Sequence, residues 1–359
     1  MPLTPIITTE ACAFVANSGD GTLSVLSTTL RSVRATVAIG GEPSALVASA
    51  DGRRVYAADA AGGAVDVIDA IAKQAVGSVA VGPAPRALAL GVDRAALIVA
   101  NSGGDSIVSV DTDTLTASTP VPLMPTPLAI AVDRHADVYV GSDAAAAVVV
   151  TDADLQPIAS IAMAASVEAL AVRPGGALLY AAETAAGQIG VIDAATHLRI
   201  DGISVGEEPA AIAWRHDGQR AYVALRGANE VAVIDSERRA VRARIAVGAA
   251  PAGLALTSDD ALLVVANSGD GTVSLVSTAA ERVSGTVTVG AAPVAVAIVA
   301  VRGGCAPQAI PTPTATGAAP TATPRRDQED DGCAVSGARD PGVVLLLPLA
   351  GLLLVRRRR

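Results

Sequence analysis

The chain has 359 residues and a net charge of −9, and it is 51% hydrophobic yet only 2% aromatic, with one Trp, one Phe and four Tyr. A single core stops growing near ~250–300 residues, so a chain this long and this poor in rings cannot be one thick, aromatic-packed globule; many small cores in a row are required, and repeats come first. The acidic balance excludes sequence-independent binding to nucleic acid, which needs a basic footprint, and three scattered histidines with three cysteines but no CxxC exclude a zinc site by spacing.

In chain order, residues 1–10 lack a basic segment followed by an apolar one and do not read as a signal peptide. They are taken as an N-terminal remnant, with an export signal expected upstream of Met1. A repeat begins at Phe14-Val-Ala-Asn17-Ser-Gly-Asp-Gly. The Asn17 register recurs at Asp59, Asn101, Ser142, Glu183, Leu225 and Asn267, in steps of 41 or 42 residues. Chance does not hold so long a period over seven copies. Each copy carries four short β-type runs, as in Tyr56–Ala58, Val65–Asp69, Ala75–Val81 and Arg86–Leu90, punctuated by Asp- and Gly-rich turns. Four strands per ~40 residues make the blade of a β-propeller. The predicted fold is therefore all-β, a seven-bladed β-propeller over residues 11–302.

One strand per copy alternates small and large, as in Ala87-Leu-Ala-Leu90, Ala211-Ile-Ala-Trp214 and Gly253-Leu-Ala-Leu256. Seven strands crowding one axis leave room only for Ala or Gly inward, so this is the innermost strand. Phe14, Tyr56, Tyr139, Tyr180 and Tyr222 share one register on the next strand, where Ile98 and Val264 stand in the other two copies. These rings are expected to fill the space between blades. A shared ligand platform would need rings converging from different strands.

The chain starts on a second strand and ends its seventh copy on an inner one, so three N-terminal strands must pair with one C-terminal strand to close the ring. Closure removes edges that template aggregation. One more period places residue 304 on residue 12, so Cys12 and Cys305 are expected to meet in a disulfide. In the chain-entropy model that bond is worth roughly 5 kcal/mol.

No Gly-x-Ser-x-Gly, His-Glu-x-x-His, P-loop or EF-hand loop is present. His135, His197 and His216 fall in turns of different blades and are expected to be solvated. The tips between second and third strands are acidic, at Asp20, Asp105, Asp143, Glu230 and Asp270, and Glu42, Glu207 and Glu208 lie on the Gly-x-x-Pro loops of the same face. Asp favours turns in any case; the sharper reading is a binding face for a cationic partner or Ca²⁺ built on Asp20, Asp105, Asp270 and Glu207. The opposite face carries Arg53, Arg54, Arg94, Arg134, Arg238 and Arg239. Just after the loop proline, the inner strands begin with Ser44, Arg86, Leu128, Glu168, Ala210, Ala252 and Val294. Arg86 and Glu168 are the charges of that series. They are expected either to pair across a narrow channel or to contact a ligand.

The segments Phe14-Val-Ala-Asn17-Ser-Gly-Asp-Gly-Thr-Leu-Ser-Val25, Ile98-Val-Ala-Asn101-Ser-Gly and Val264-Val-Ala-Asn267-Ser-Gly-Asp-Gly-Thr-Val-Ser-Leu275 resemble the YVTN family of β-propeller repeats, found in secreted and surface proteins of bacteria and archaea. The resemblance implies a fold rather than an activity, since one fold hosts many functions.

Residues 303–332 form a Pro/Thr-rich linker, which cannot bury a core and gives a semi-rigid stalk. Residues 333–359 hold Cys333, the apolar run Val343–Val355 and four terminal arginines. As a helix that run spans about 20 Å, short of a ~30 Å hydrocarbon core. The tail resembles a bacterial C-terminal sorting signal of the myxobacterial type, which implies processing near Cys333 and attachment to the envelope. The expected protein is a monomeric, envelope-tethered propeller that binds or scaffolds an unidentified protein or cell-surface ligand without chemistry of its own. The alternatives are a propeller hydrolase such as a lactonase-like enzyme, or a structural surface-layer component.

Overall fold

The computed structural model describes residues 9–306 apart from 94 and 303. Arg94, Cys333, the linker beyond residue 306 and the apolar tail segment lie outside the described residues. Seven antiparallel sheets form a seven-bladed β-propeller, and in six of the blades the inner strand is followed in chain order by the second, third and outer strands. Blade 1 alone is built from both ends of the chain. Its inner strand is Pro293–Arg302, which pairs antiparallel with Thr9–Asn17; Thr22–Ser27 and Ser32–Ala38 complete it. Cys12 and Cys305 lie beside this seam with Cα atoms 5.5 Å apart, joined in a disulfide. The Glu10 carboxylate accepts the Cys305 amide proton at 3.2 Å and the Ser27 hydroxyl proton.

Blade 3 departs from the pattern. Pro120 and Pro122 supply no N–H, and its outer strand is split into Thr116–Ala117 and Val121–Pro122. Ser118 bridges the gap: its amide donates to the Ser109 carbonyl at 2.8 Å, and its hydroxyl accepts from the Ser109 amide at 3.1 Å.

The cores are thin and lie between blades. Phe14 packs with Val55, Ala57 and Ile68 of blade 2, Tyr139 with Leu179 and Ile192 of blade 5, and Tyr222 with Leu263 and Val265 of blade 7. All five rings of the register are at most 2% exposed. Each such ring contributes on the order of 2–3 kcal/mol by leaving water.

A second repeated device sits in the turns between third and outer strands. Arg31, Lys73, Leu115, Leu155, His197, Arg239 and Glu281 all hold left-handed backbone, with φ between 48° and 62°. A non-glycine residue there costs ~1 kcal/mol or more. In four seams the side chain repays this by lying back on the aromatic register of the preceding blade. Lys73 Nζ lies 5.9 Å above the Phe14 ring, His197 meets the Tyr139 ring edge-on at 5.9 Å, and Leu115 and Leu155 join the clusters of Tyr56 and Ile98. In several of these turns an aspartate prepares the conformation. Asp111, Asp193 and Asp235 each accept two turn amides, and those bonds hold the three carboxyls below the usual range.

Lys73 is the sole lysine of the chain and is 6% exposed. Its ammonium donates to the carbonyls of Ala70 and Ile71, and burial pushes it below the ordinary lysine range. An amine-reactive acyl ester is therefore expected to leave Lys73 unlabelled in the native protein and to label it fully in denaturant. Peptide mass spectrometry after trypsin-independent cleavage reads this out. Native labelling at the rate of a free lysine would contradict the buried placement.

Candidate functional site

Every inner strand opens with a break in its pairing to the second strand. Pairing skips Ser44, Arg86, Leu128, Glu168, Ala210, Ala252 and Val294. Each is the extra residue of a β-bulge, a device that re-aims a side chain out of the ladder. These seven skipped residues line one cavity of about 460 Å³ at the channel mouth, with Ser18, Glu42 and Arg226.

The charges there do not pair as the sequence suggested. Arg86 and Glu168 do not reach each other. Arg86 Nη1 pairs with Glu42 Oε1 at 3.1 Å, between blades 3 and 2. Glu168 pairs with Arg226, between blades 5 and 6, and also accepts from the Thr184 hydroxyl at 3.1 Å. Thr184 and Ser44 stitch the rim as well: Thr184 Oγ1 is 3.0 Å from the Pro209 carbonyl, and Ser44 Oγ donates to the Pro85 carbonyl at 2.7 Å. The mouth thus holds two partly exposed ion pairs on opposite arcs of a ring otherwise lined by Ser18, Ser44, Leu128, Ala210, Ala252 and Val294.

Glu42 and Arg226 were missed as mouth residues. Arg226 occupies the register of Ser18, Ser102 and Ser268, where it is the one cation, and that contrast was the available signal.

The acidic tips serve the ring itself. Asp20 Oδ2 accepts the Ala291 amide at 3.0 Å, Asp105 Oδ1 the Thr126 amide at 2.8 Å, and Asp270 Oδ2 the Ala249 amide at 2.9 Å. Each ties its tip to the neighbouring proline loop. Glu207 stands exposed on its loop, with no partner among the described residues. Also among the described residues, no three His, Cys, Asp or Glu side chains lie close enough together to hold a metal ion.

Two of the histidines are less free than solvated turn residues. His197 Nε2 lies 3.1 Å from Asp137 and His216 Nδ1 2.6 Å from Asp260, each across a blade seam. His135 remains an exposed turn residue, 3.0 Å from Arg134 Nε.

A family model described as lactonase, 7-bladed beta-propeller, matches residues 186–299. No curated protein matches the sequence. Among solved structures, a functionally unknown protein from Desulfotomaculum acetoxidans is similar at a TM-score of 0.73, with 13% identity over 83% of this chain and 99% of the other. A putative 6-phosphogluconolactonase from Bacteroides fragilis is similar at 0.69, with 17% identity over 83% and 100%. Hydrazine synthase from Kuenenia stuttgartiensis is similar at 0.66, with 18% identity over 72% and 95%. At these identities the likeness is one of fold.

Proposed function

We propose that the protein is a lactonase-like hydrolase acting at the channel mouth. The observation that carries this reading is the cluster of Glu168, Arg226 and Thr184, facing Arg86 and Glu42 across one cavity. The family model and the putative lactonase neighbour support it. Glu168, oriented by Thr184 and Arg226, takes the proton of a water as its oxygen attacks the lactone carbonyl carbon. Arg226, beside Glu168, is placed to stabilise the oxyanion that develops, and Arg86 faces the substrate from the far side of the cavity. The ring C–O bond then breaks, and the proton passes from Glu168 to the leaving oxygen, giving the hydroxy acid.

A second reading keeps the propeller as an envelope-tethered binding module. It is favoured by the pairing of both mouth carboxylates with arginine, which leaves neither of them as a free base. Under either reading the Cys12–Cys305 bond supports export to an oxidising compartment. One experiment separates the two. Proton release from gluconolactone and its 6-phosphate is followed at constant pH, with calorimetric binding of the product acids in parallel. Turnover that falls about 100-fold in Glu168→Gln, with unchanged melting temperature, supports the hydrolase. Binding without turnover supports the module, and neither signal removes the mouth as the site.

A further inference from the structure

The lining of the mouth is sorted by position around the ring. Arg86 with Glu42 takes the arc of blades 2 and 3, Glu168 with Arg226 the arc of blades 5 and 6, and Leu128 lies between them on blade 4. The remaining arc, over blades 6, 7 and 1, is Ala210, Ala252 and Val294. Ser18 closes it with its hydroxyl turned to the Ala292 carbonyl at 3.1 Å. A molecule held beside Glu168 therefore has a short apolar wall next to it.

The charges of the cavity balance. Its lining holds two guanidiniums, two carboxylates and no other ionisable group. Arg226 presents both terminal nitrogens to Glu168, and Arg86 is taken by Glu42. An anion could claim either arginine only by stranding a carboxylate in the same cavity. The surrounding rim is acidic. Glu207 and Glu208, just before Pro209 and Ala210, and Asp143 on the blade 4 tip are exposed and have no ion-pair partner among the described residues. Arg244 reaches the Glu207 loop through the Val205 carbonyl but is itself paired with Glu230 at 3.3 Å. Asp20, Asp105 and Asp270 accept only amides and hydroxyls, so their charge is not cancelled by a cation.

We propose, on the reading of this mouth as a hydrolytic site, that its substrates are uncharged lactones with a short alkyl substituent, and that phosphorylated or carboxylated lactones are disfavoured. The lactone ring lies beside Glu168 and Arg226, and the alkyl group lies on Ala210, Ala252 and Val294, where leaving water favours it. The field of the rim repels an incoming anion. The same field acts on the product. Hydrolysis turns a neutral lactone into a carboxylate, so the charge that keeps anions out also clears the hydroxy acid.

The test separates binding from turnover. Calorimetric titration of the full chain uses δ-lactams, which are not hydrolysed, bearing no substituent, a propyl group or a carboxyethyl group of nearly the same shape. Proton release follows the matching lactones. The propyl lactam is expected to bind at least tenfold tighter than either of the others, and added salt is expected to narrow its lead over the carboxyethyl compound. Ala252→Leu, which narrows the arc, and Val294→Thr, which makes it polar at constant shape, are each expected to cut the lead of propyl over the bare ring at least threefold. The pair Glu207→Gln, Glu208→Gln is expected to tighten the carboxyethyl lactam at least threefold. The exposed loop changes keep the test alive if an arc variant fails to fold. A carboxyethyl or bare lactam that binds as well as the propyl one, no lactam binding at all, or wild-type preferences in the folded variants overturns the proposal. Lactam binding as expected without hydrolysis of the propyl lactone upholds the ligand class and removes the hydrolase reading instead.

Discussion

The double change Cys12→Ser and Cys305→Ser is expected to lower the melting temperature by about 10 °C. The bond spans 293 residues of sequence, almost the whole propeller. Linking so distant a pair removes loop-closure entropy from the unfolded chain, worth about 5 kcal/mol, and a domain of this size loses roughly 2 °C per kcal/mol. The ring does not depend on the disulfide alone. Thr9–Asn17 is paired along its length with the Pro293–Arg302 strand, and Glu10 still holds the residue 305 amide. The variant should therefore fold at 25 °C and open first at blade 1. Calorimetry reads the shift, and hydrogen exchange reads the place, through early loss of protection in residues 11–16 and 294–301. An unchanged melting temperature, or loss spread evenly over all blades, would show that strand pairing closes the ring unaided.

Much of this architecture is legible in the residues. The period of 41 or 42 fixes the number of blades, and the Ala-rich alternation identifies the strand at the axis. Extending the period by one step sets residue 304 beside Cys12. The seven residues after the loop prolines form one series in the sequence and one cavity in the fold. Their grouping comes from register, which a repeat reveals. Their pairing does not. Arg86 turns to Glu42 and Glu168 to Arg226 because each bulge aims its side chain along the rim, toward the nearest neighbour in the ring. No spacing encodes that direction. The left-handed turn residues stay hidden for a different reason. Arg, Lys, Leu, His and Glu all occupy that register, so no residue type marks it. What they share is a backbone conformation and a seam to close.

The buried ion pair of blade 5 gives the other large effect. The Asn17 register ends the second strand, and the blades fill it differently. Asn17 and Asn267 donate to a Thr and a Ser hydroxyl on the next strand, and Leu225 fills it without polar atoms. In blade 5 it is Glu183, with its side chain fully buried; it accepts from Arg199 Nε at 2.9 Å, Gln188 Nε2 at 2.8 Å and the Ala164 amide at 3.2 Å. Gly190 and Gly202 make this meeting possible, because a Cβ at Gly190 would collide with Glu183 Oε1 and one at Gly202 with the Arg199 guanidinium. Arg199→Met leaves a buried carboxylate without its cation and is expected to cost about 3 kcal/mol. Glu183→Leu leaves an arginine already 26% exposed, which turns to water, and is expected to cost about 1 kcal/mol. Blade 6 shows the apolar alternative, with Leu225 at the glutamate register and Val241 at the arginine register. The double variant Glu183→Leu, Arg199→Val copies it into blade 5 and is expected to fall within about 1 kcal/mol of the parent, because removing both charges removes the desolvation penalty with the attraction. Urea midpoints at unchanged slope measure all three. A double variant as unstable as the sum of its singles would mean that the pair does more than satisfy itself, and that blade 5 depends on the charge.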